Sequence, residues 1–584
     1  MKPGTRLVLV YYLAAALVAF LAFLWTYKTV RIVYAINDDV SLREIASGSL
    51  SGVPDGHLIY VQYALGWAIS RLFVLNAQLD WYGITMLGLM GLCLLLVLFR
   101  VLELAATYRR KIAGTVLVLL GYALLGLRHV AAFQYTTVSA VLAGTAVFWL
   151  AASGRQTGFR RFADPAICAL LLLASYMVRA NVFLMCLPFA ALAFLYRNVE
   201  WETRRIHGLW LPAAVLAGVG IVFLAEQGAY RSPEWKAYLQ LNELRTQIFD
   251  YVCLLRYDSN AAFYRSIGVS SAAYDLLQRY TLAPNPAANV ETYRAIVARC
   301  IELKAADLAS TPRLSRLHEL TFALFTSMLG EQYALARIVC LLLFSFVVAI
   351  RWRDFGTRDA LLVFSIVTIH FGVWLYLIAN GRYPERVIWA LYLIEALLLS
   401  GLALPDLLSL SFPGKVALRV AFVLFAIVLA AGVADFQVQA IRQIVSSKAA
   451  VNKACERVHA YTVSHPQNFY FLPIRSFSSC TRTFTVLEDD RFVNSSPMGG
   501  WELLSPLTKQ NWDRNAITDV QQDLIRRDNV LILVKPPDSI DYVVNYYHSI
   551  GLNVAASEAD HVNMGDDSAG AIVYRLQVVK DAVP

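Results

Sequence analysis

LVLVYYLAAALVAFLAFLWTY, residues 7–27, is an uninterrupted apolar run without a charged side chain. A helix needs about 20 apolar residues to cross the hydrocarbon core of a membrane, so this run is long enough. Lys2 and Arg6 precede it, as basic residues do at the start of a signal peptide. The run is too long for the apolar core of a signal peptide, however, and no cleavage site of small residues follows it. We therefore predict an uncleaved first membrane helix.

The whole chain has the composition of a membrane protein. Of its 584 residues, 58% are hydrophobic and 16% are charged, whereas soluble proteins carry about 25% charged residues. Further apolar runs lie at roughly 82–102, 112–127, 130–151, 165–178, 180–196, 208–226, 333–350, 359–379, 386–404 and 416–434. We predict an α-helical polytopic membrane protein with about eleven transmembrane helices. The net charge of +9 is spread over short loops without any recognition motif, which argues against a nucleic-acid partner.

The basic residues of the short loops predict the orientation. With the N-terminus in the cytoplasm, the short loops on that side contain Arg109, Arg110, Lys111, Arg155, Arg160, Arg161, Arg197, Arg204, Arg205, Arg351, Arg353, Arg358 and Lys415. The opposite short turns contain only Arg128, Arg179, Arg382 and Arg386. Because Lys and Arg accumulate in cytoplasmic loops, we predict a cytoplasmic N-terminus and an extracytoplasmic C-terminus.

Three long segments are then extracytoplasmic: 28–80, 227–332 and the tail from 435 to 584. Apolar residues at helical spacing predict that the loop at 227–332 is mostly helical, with a break at APNPAAN. The tail contains a helical segment from Lys448 and three β-like segments, which begin at Asn468, Asn529 and Ala571. We predict a transmembrane domain over 1–434, which includes both loops, and a small soluble α/β domain over 435–584.

The cysteines outside the predicted spans come in two pairs. Cys253 and Cys300 lie in the long loop, and Cys455 and Cys480 lie in the tail. No cytoplasmic loop contains a cysteine, so two disulfides formed in an oxidising compartment are one interpretation. Four unpaired thiols are the alternative.

An acidic pair follows the first span closely. Asp38 and Asp39 lie in YAINDDV, about ten residues after that span ends. Two adjacent carboxylates repel one another, which raises the cost of ionising both and favours a role for one of them as a general base. Alternatively the pair caps the helix predicted for VSLREIASG, since acidic residues stabilise helix N-termini. Both roles are compatible.

Several polar residues on the same predicted side are candidates for substrate binding. His57 follows the turn SGSLSGVPDG and opens the apolar segment HLIYVQYALGWAISRLF, which has the mixed aromatic composition of an interfacial helix. Trp501 lies in a turn-rich stretch, where it can stack on a sugar face or serve the turn itself. The remaining candidates lie at span ends: Arg128 and His129, then Arg179, then Arg382 and Arg386 in NGRYPERV. Guanidinium groups at this depth suit bidentate phosphate binding, and the alternative is snorkelling to lipid headgroups.

These features together resemble the GT-C superfamily of membrane glycosyltransferases. The resemblance rests on Asp38 and Asp39 after the first span, the arginines at the outer span ends and the soluble C-terminal domain. The strings NDD…SG…G.PDGH.IY…G, GR.P.RV near Gly381 and GGW…SP near Gly499 are similar to those of uncharacterised bacterial members. In that superfamily an acidic residue of the first loop activates the acceptor or binds a metal, so the resemblance implies Asp38 and Asp39 as catalytic residues or ligands of Mg²⁺ or Mn²⁺. Better-known branches carry Asp-Glu or Asp-x-Asp where this chain has Asp-Asp.

The resulting hypothesis is an inverting glycosyltransferase of the bacterial inner (plasma) membrane. Its donor is a sugar on polyprenyl phosphate and its acceptor a cell-envelope glycan or lipid, used at the outer face among the membrane lipids. A transporter or flippase of a lipid-linked saccharide is one alternative, although neither broken helices nor paired repeats are evident. A glycan polymerase or ligase is another. Such enzymes are expected to carry key basic and histidine residues in the long loop, where His318 is the only histidine.

Overall fold

The structure is a computed structural model that describes residues 3–153, 160–200, 205–251, 253–352, 355–409, 416–487, 494–565 and 570–579. Within these ranges, nine helices are long and apolar enough to cross a membrane: Val8–Thr29, Trp81–Leu104, Tyr108–Ala131, Tyr135–Ala152, Ala180–Asn198, Trp210–Ala229, Glu331–Arg351, Thr357–Ala379 and Glu385–Leu408. Two other apolar helices, Tyr63–Leu75 and Phe162–Val178, are shorter. The protein is therefore a mostly helical, multi-pass membrane protein.

Two of the eleven predicted spans are not among these nine. The predicted span at 165–178 coincides with the shorter apolar helix Phe162–Val178. The predicted span at 416–434 coincides with the beginning of helix Val416–Ser464, which is 49 residues long. The side chains of that helix as far as residue 431 lie outside the described part of the structure. The number eleven stays a prediction.

Two helices form the centre of the bundle. The most apolar windows of Tyr135–Ala152 and Glu385–Leu408 are 94% and 83% buried by protein, against 11–44% for the other seven spans. These seven direct large apolar side chains outward, as Phe20 and Leu216 illustrate, with exposures of 63% and 71%. Exposed leucine and phenylalanine on a helical bundle match a hydrocarbon environment, which supports the membrane assignment.

Buried ion pairs hold the helices together at one end of the bundle, where predicted cytoplasmic loops meet. Arg100 is fully buried and contacts Glu103 at 2.5 Å and Asp164 at 3.2 Å. Arg197 approaches Asp164 to 4.0 Å from a third helix. The loops that are predicted to be cytoplasmic at these positions therefore lie at the same end of the bundle. Arg155, Arg204, Arg353 and Lys415, which were counted in those loops, lie outside the described residues.

The first loop folds compactly against the opposite end of the bundle. Strand Val33–Tyr34 pairs in parallel with strand Ala132–Phe133, and helix Asn37–Ser47, here named the first-loop helix, follows. This helix ends at Gly48, whose φ of +84° and contact with Pro54 exclude a side chain. The apolar helix that was expected to open at His57 begins at Tyr63 instead. Residues 57–62 form an irregular connection between the two helices.

The long loop is helical, as predicted. Its helices are Pro233–Phe249, Tyr257–Ser266, Ser271–Gln278, Val290–Ser310 and Arg313–Met328, with a short 3₁₀ turn at Glu331–Tyr333. Three of them begin at side-chain caps, because Ser232, Ser270 and Asn289 each accept a hydrogen bond from a backbone N–H of the first turn. The predicted break at APNPAAN falls between Gln278 and Val290.

The C-terminal region contains a five-stranded mixed sheet. The strands are ordered Ser495–Pro497, Phe469–Leu472, Val530–Val534, Ala571–Val578 and Val554–Val562. The first three pair in parallel, and Ala571–Val578 pairs antiparallel with both of its neighbours. Helices Ile474–Phe477, Pro506–Arg514, Val520–Arg526 and Asp541–Ser549 complete it, while a small hairpin, Val199–Glu200 with Arg205–Ile206, lies elsewhere in the chain. All three segments read as β-like form strands. Cys455 and Cys480 form a disulfide, whereas Cys253 and Cys300 are buried thiols.

The predicted boundary at residue 434 lies within a continuous helix. Helix Val416–Ser464 continues through it and extends for roughly 70 Å at 1.5 Å per residue. The domain also packs on the long loop, because Phe469, Met498 and Leu503 share one hydrophobic cluster with Ile248 and Leu276. The C-terminal region is therefore held at both its helix and its sheet, and it projects residues into the site described next.

Candidate active site

A cavity of about 480 Å³, here named the site cavity, lies where the first loop, the ends of several spans, the long loop and the C-terminal domain meet. The residues that matter for its chemistry are Asp38, Ser41, Tyr60, Tyr135, Arg179, Arg245, Asp250, Tyr280, Arg382, Arg386, Trp501 and Glu502. These residues come from six separate parts of the chain. Only the tertiary structure brings them together.

The two acidic residues of the first loop have different environments. Asp38 lines the site cavity and accepts a hydrogen bond from the indole Nε1 of Trp501 at 3.2 Å. Asp39 is completely buried, and its Oδ1 accepts hydrogen bonds from the hydroxyl of Tyr82 at 2.8 Å and the backbone N–H of Tyr135 at 3.0 Å. Successive residues of a helix point about 100° apart, which explains why one carboxyl faces the cavity and its neighbour the protein interior.

Burial raises the pKa of Asp39 from 3.8 to about 8. Desolvation is the largest cause, and the charge of Asp38 is a smaller one, so the repulsion expected within the pair is secondary. The hydrogen bonds from Tyr82 and Tyr135 offset part of the shift. Asp39 is therefore mostly neutral at pH 7. Asp38 is the carboxylate that a substrate in the cavity meets.

The expected helix-capping role is not observed. The first-loop helix begins at Asn37, with Ile36 at the N-cap position and no side-chain capping bond. Asp38 and Asp39 lie in its first turn, where a negative charge is still favoured by the helix dipole. The carboxyl groups are consequently available for contacts across the protein and with the cavity.

Four arginines give the cavity a positive wall. Arg382 contacts Asp250 at 3.1 Å, and Arg245 approaches the same carboxylate to 4.0 Å. Arg179 and Arg386 make no ion pair or side-chain hydrogen bond with the residues that the structure describes. Four guanidinium groups face the carboxylates of Asp38 and Asp250 and the partly ionised Glu502, so the cavity is net positive. Such a wall suits a phosphate, which arginines bind in bidentate geometry.

Aromatic rings also line the cavity and contact one of these arginines. The guanidinium of Arg179 lies 4.9 Å from the ring centroid of Tyr60 and 5.1 Å from that of Tyr135. Trp501 packs on Tyr60 with ring centroids 4.9 Å apart. Cation–π contact holds Arg179 in place without consuming its hydrogen-bond donors. The predicted residue Trp501 thus lies in the cavity, beside Asp38.

Glu502 is a residue that sequence reasoning missed. It lines the cavity, is only 9% exposed, and accepts a hydrogen bond from the hydroxyl of Ser41 at 3.2 Å. Burial raises its pKa from 4.5 to about 7, and a carboxyl with a pKa near the working pH is suited to proton transfer. Arg245, Tyr60 and Tyr280 were missed as well. The only sequence signal for Glu502 was its position directly after Trp501.

Three predicted residues lie outside the site cavity. Arg128 pairs with Glu385 and lies 5.0 Å from the ring centroid of Trp389. His129 is buried against the same tryptophan, in helix Leu127–Ala131 rather than in a turn. His57 stacks on Trp235 at 4.5 Å between ring centroids. These three side chains connect parts of the fold to one another.

The donor set for a metal is small. The described residues contain no group of three or more His, Cys, Asp and Glu side chains arranged to hold a metal ion. One carboxylate oxygen of Asp38 accepts a hydrogen bond from Trp501, and Asp39 is buried and mostly neutral at pH 7. A hard cation such as Mg²⁺ prefers several oxygen ligands, so Mg²⁺ or Mn²⁺ at the acidic pair stays a prediction.

An apolar cavity of about 370 Å³ lies among the spans below the site, here named the span cavity. Its walls include Val141 and Phe148, which follow the cavity residue Tyr135 along the same helix. At 1.5 Å per residue, these positions lie roughly 9 and 20 Å deeper than Tyr135. A polar, positive cavity thus lies above an apolar one in the same bundle.

Glycine at position 499 is required for the docking of the C-terminal domain. A methyl group there would lie 1.9 Å from the backbone oxygen of Tyr280. We expect Gly499→Ala to destabilise the protein by about 1–3 kcal/mol, since neither backbone can move without disturbing the domain contact. Thermal unfolding in detergent measures this effect. Gly228→Ala, whose methyl group meets open space, is the control; equal melting temperatures for both variants would contradict the prediction.

Glu502 is expected to make stability depend on pH. Its pKa is raised in the folded state, so the unfolded chain releases this proton at lower pH, and stability falls as pH rises from about 4.5 to about 7. Glu502→Gln keeps the oxygen that accepts from Ser41 and removes the ionisation. The melting temperature of this variant should therefore rise relative to wild type between pH 5 and pH 8. A difference that is the same at both pH values would be inconsistent with the raised pKa of Glu502.

In comparisons with known proteins, no protein-family model, no curated protein and no solved structure matches the chain.

Proposed function

We propose that this protein is a membrane glycosyltransferase that transfers a sugar from a polyprenyl-phosphate donor to a cell-envelope acceptor with inversion. The observation that carries the proposal is the site cavity, in which the carboxylate of Asp38 and four arginines line one space. The carboxylate can accept a proton from an attacking hydroxyl, and the arginines can stabilise a departing phosphate. The proposed location is the outer face of the bacterial inner membrane, with the N-terminus in the cytoplasm.

The proposed reaction is a single displacement. Asp38 accepts the proton of an acceptor hydroxyl, whose oxygen forms a bond to the anomeric carbon of the donor sugar. The bond from that carbon to the phosphate oxygen breaks, and the lipid phosphate leaves with the electron pair. Arg179 and Arg386, which have no carboxylate partner in the described structure, are suited to bind this phosphate. Arg245 and Arg382 add positive charge while Asp250 holds them in position.

The span cavity supports a lipid donor over a soluble one. A polyprenyl chain is apolar and long, and it needs apolar contacts at depths that the span cavity reaches. A nucleotide-sugar has no use for such a space.

Accumulation of the donor tests the proposal. Lipids extracted from cells that carry Asp38→Asn should contain more sugar-loaded polyprenyl phosphate than wild-type cells, because transfer stops after the donor has been made. The orientation of that lipid separates the transporter alternative, since a disabled flippase leaves it on the cytoplasmic leaflet. Unchanged lipid pools in the variant would count against both functions.

The position of one arginine of the long loop is compatible with the polymerase or ligase alternative. Arg245 belongs to the long loop and lines the site cavity, as a basic loop residue of such an enzyme would. The only histidine of that loop, His318, is exposed and does not line the cavity. The size of the transferred unit distinguishes the two reactions: a transferase adds one sugar per event, whereas a polymerase or ligase transfers a preassembled oligosaccharide.

A further inference from the structure

A second cavity of about 800 Å³ lies between the first-loop helix and the C-terminal domain, here named the domain cavity. One wall is the face of the first-loop helix that carries Asn37, Val40, Ser41 and Glu44. The other wall comes from helix Val416–Ser464 and from the ends of the sheet. Its volume is within the range typical of ligand sites in proteins and exceeds that of the site cavity.

The wall formed by helix Val416–Ser464 carries more polar than apolar side chains. Eight residues of this helix line the cavity, and five of them are polar or charged: Ala449, Asn452, Lys453, Cys455, Glu456, Val458, His459 and Thr462. Two apolar residues of the same segment, Val458 and Ala454, pack against the sheet, and Val458 also borders the cavity. A polar helix face that borders an open cavity is suited to hydrogen bonding with a ligand.

Asn452 provides an independent indication. It is only 1% exposed, and its Oδ1 accepts hydrogen bonds from the backbone N–H and the hydroxyl of Thr481, both at 3.0 Å. Its amide nitrogen Nδ2 has no partner among the described residues. A buried donor without a partner is unfavourable, and this one belongs to a residue that lines the cavity.

The charge of the domain cavity differs from that of the site cavity. Arg31, Lys453 and Arg482 are matched in number by Glu44, Glu456 and Glu502. The balance favours an uncharged, hydroxyl-rich ligand over a phosphate. Saccharides have this character.

The two cavities meet at one place. Asn37, Ser41, Ile474 and Glu502 line both of them, and the hydrogen bond from Ser41 to Glu502 lies at the junction. Asp38 lies on the far side of this junction, in the site cavity. A hydroxyl that passes Ser41 and Glu502 therefore arrives beside the carboxylate that is proposed to deprotonate it.

We propose that the domain cavity binds the acceptor, a saccharide, and presents one of its hydroxyls to Asp38 through the junction of Ser41 and Glu502. The inference rests on the proposed transfer reaction for its chemistry, but the binding itself does not require that reaction. The donor and the acceptor then approach Asp38 from different sides. The donor phosphate lies at the arginines, and the acceptor lies between the first-loop helix and the C-terminal domain.

Photo-crosslinking in the full-length protein tests this assignment. A benzophenone amino acid replaces Ala449 in cells grown on radiolabelled glucose, and the labelled saccharide attached to the purified protein is measured after irradiation. Lys453, which is exposed and lines the same cavity, is the second position in case the first variant does not fold. Ala450 is the matched control, because it is exposed on the same helix and does not line the cavity. Each variant is also made in an Asp38→Asn background.

We expect at least about fivefold more label at positions 449 and 453 than at 450, with the label retained in the Asp38→Asn background. Equal labelling at all three positions would overturn the assignment of the cavity. The lipid pools of the same cells distinguish the two proposals. Donor accumulation without crosslinking leaves the transferase function standing, whereas crosslinking without donor accumulation leaves a saccharide site and rejects that function.

Discussion

Asp38→Asn is expected to reduce the rate of sugar transfer by about 10²- to 10⁴-fold, the usual contribution of a general base. The side chain keeps its size, and its oxygen can still accept the hydrogen bond that Trp501 donates at 3.2 Å, so the fold should not change. The loss would come from the missing proton acceptor. Transfer of radiolabelled sugar from extracted lipid to lipid-free envelope glycan, measured with membranes, provides the rate.

Asp39→Asn is the matched control for this variant. Asp39 is buried and neutral at pH 7, with a pKa of about 8, so an amide preserves both its shape and its charge. Its oxygen continues to accept from Tyr82 and from the backbone of Tyr135. We expect transfer within a few-fold of wild type near pH 7. Equal losses in both variants would show that the pair acts as a unit and that the assignment of the base to Asp38 alone is wrong.

The same control has a pH dependence. The folded state holds the proton of Asp39 up to about pH 8, whereas the unfolded chain releases it near pH 4, so the stability of the wild type falls across this window. Asp39→Asn removes the ionisation and should unfold at a higher temperature than wild type at pH 8 or above. The two proteins should differ least near pH 4.

Arg386→Gln is expected to reduce transfer by about 10²- to 10³-fold, the usual effect of removing one group that stabilises developing negative charge. Arg386 lines the site cavity, and its charge lowers the pKa of Asp39. It has no carboxylate partner in the described structure, so its replacement does not leave another charge unpaired. The transfer assay used for Asp38→Asn measures the loss of rate. We also expect this variant to bind the donor lipid more weakly, which the dependence of the rate on donor concentration measures.

Arg128→Gln is the control for the arginine. Both arginines were predicted at outer span ends, but Arg128 pairs with Glu385 outside the cavity. Its replacement is expected to change transfer little, because a surface ion pair contributes only about 0–1 kcal/mol to stability. Comparable losses in the two variants would indicate a general electrostatic effect of basic residues at this end of the bundle, and the proposed phosphate contact would then be unsupported.

The sequence by itself predicted the nine apolar helices of membrane-spanning length in the described residues, because a continuous apolar run of that length is unfavourable in contact with water. It also predicted the helical long loop and three of the five strands of the C-terminal sheet, since those segments carry a local period. The disulfide between Cys455 and Cys480 was one of two pairings left open. In the structure it forms, while Cys253 and Cys300 remain thiols.

The composition of the site was decided by tertiary structure. Asp38 and Asp39 are chemically identical neighbours, but Asp39 is buried beside Tyr82 and Tyr135, and this burial raises its pKa, whereas Asp38 lines the cavity. Arg128 and Arg386 likewise looked equivalent until the direction of each side chain was known. No local sequence pattern identified Arg245 or Glu502 as cavity residues. Their roles depend on contacts with segments up to several hundred positions away. The periodicity of a sequence reflects only the local geometry of one helix or strand.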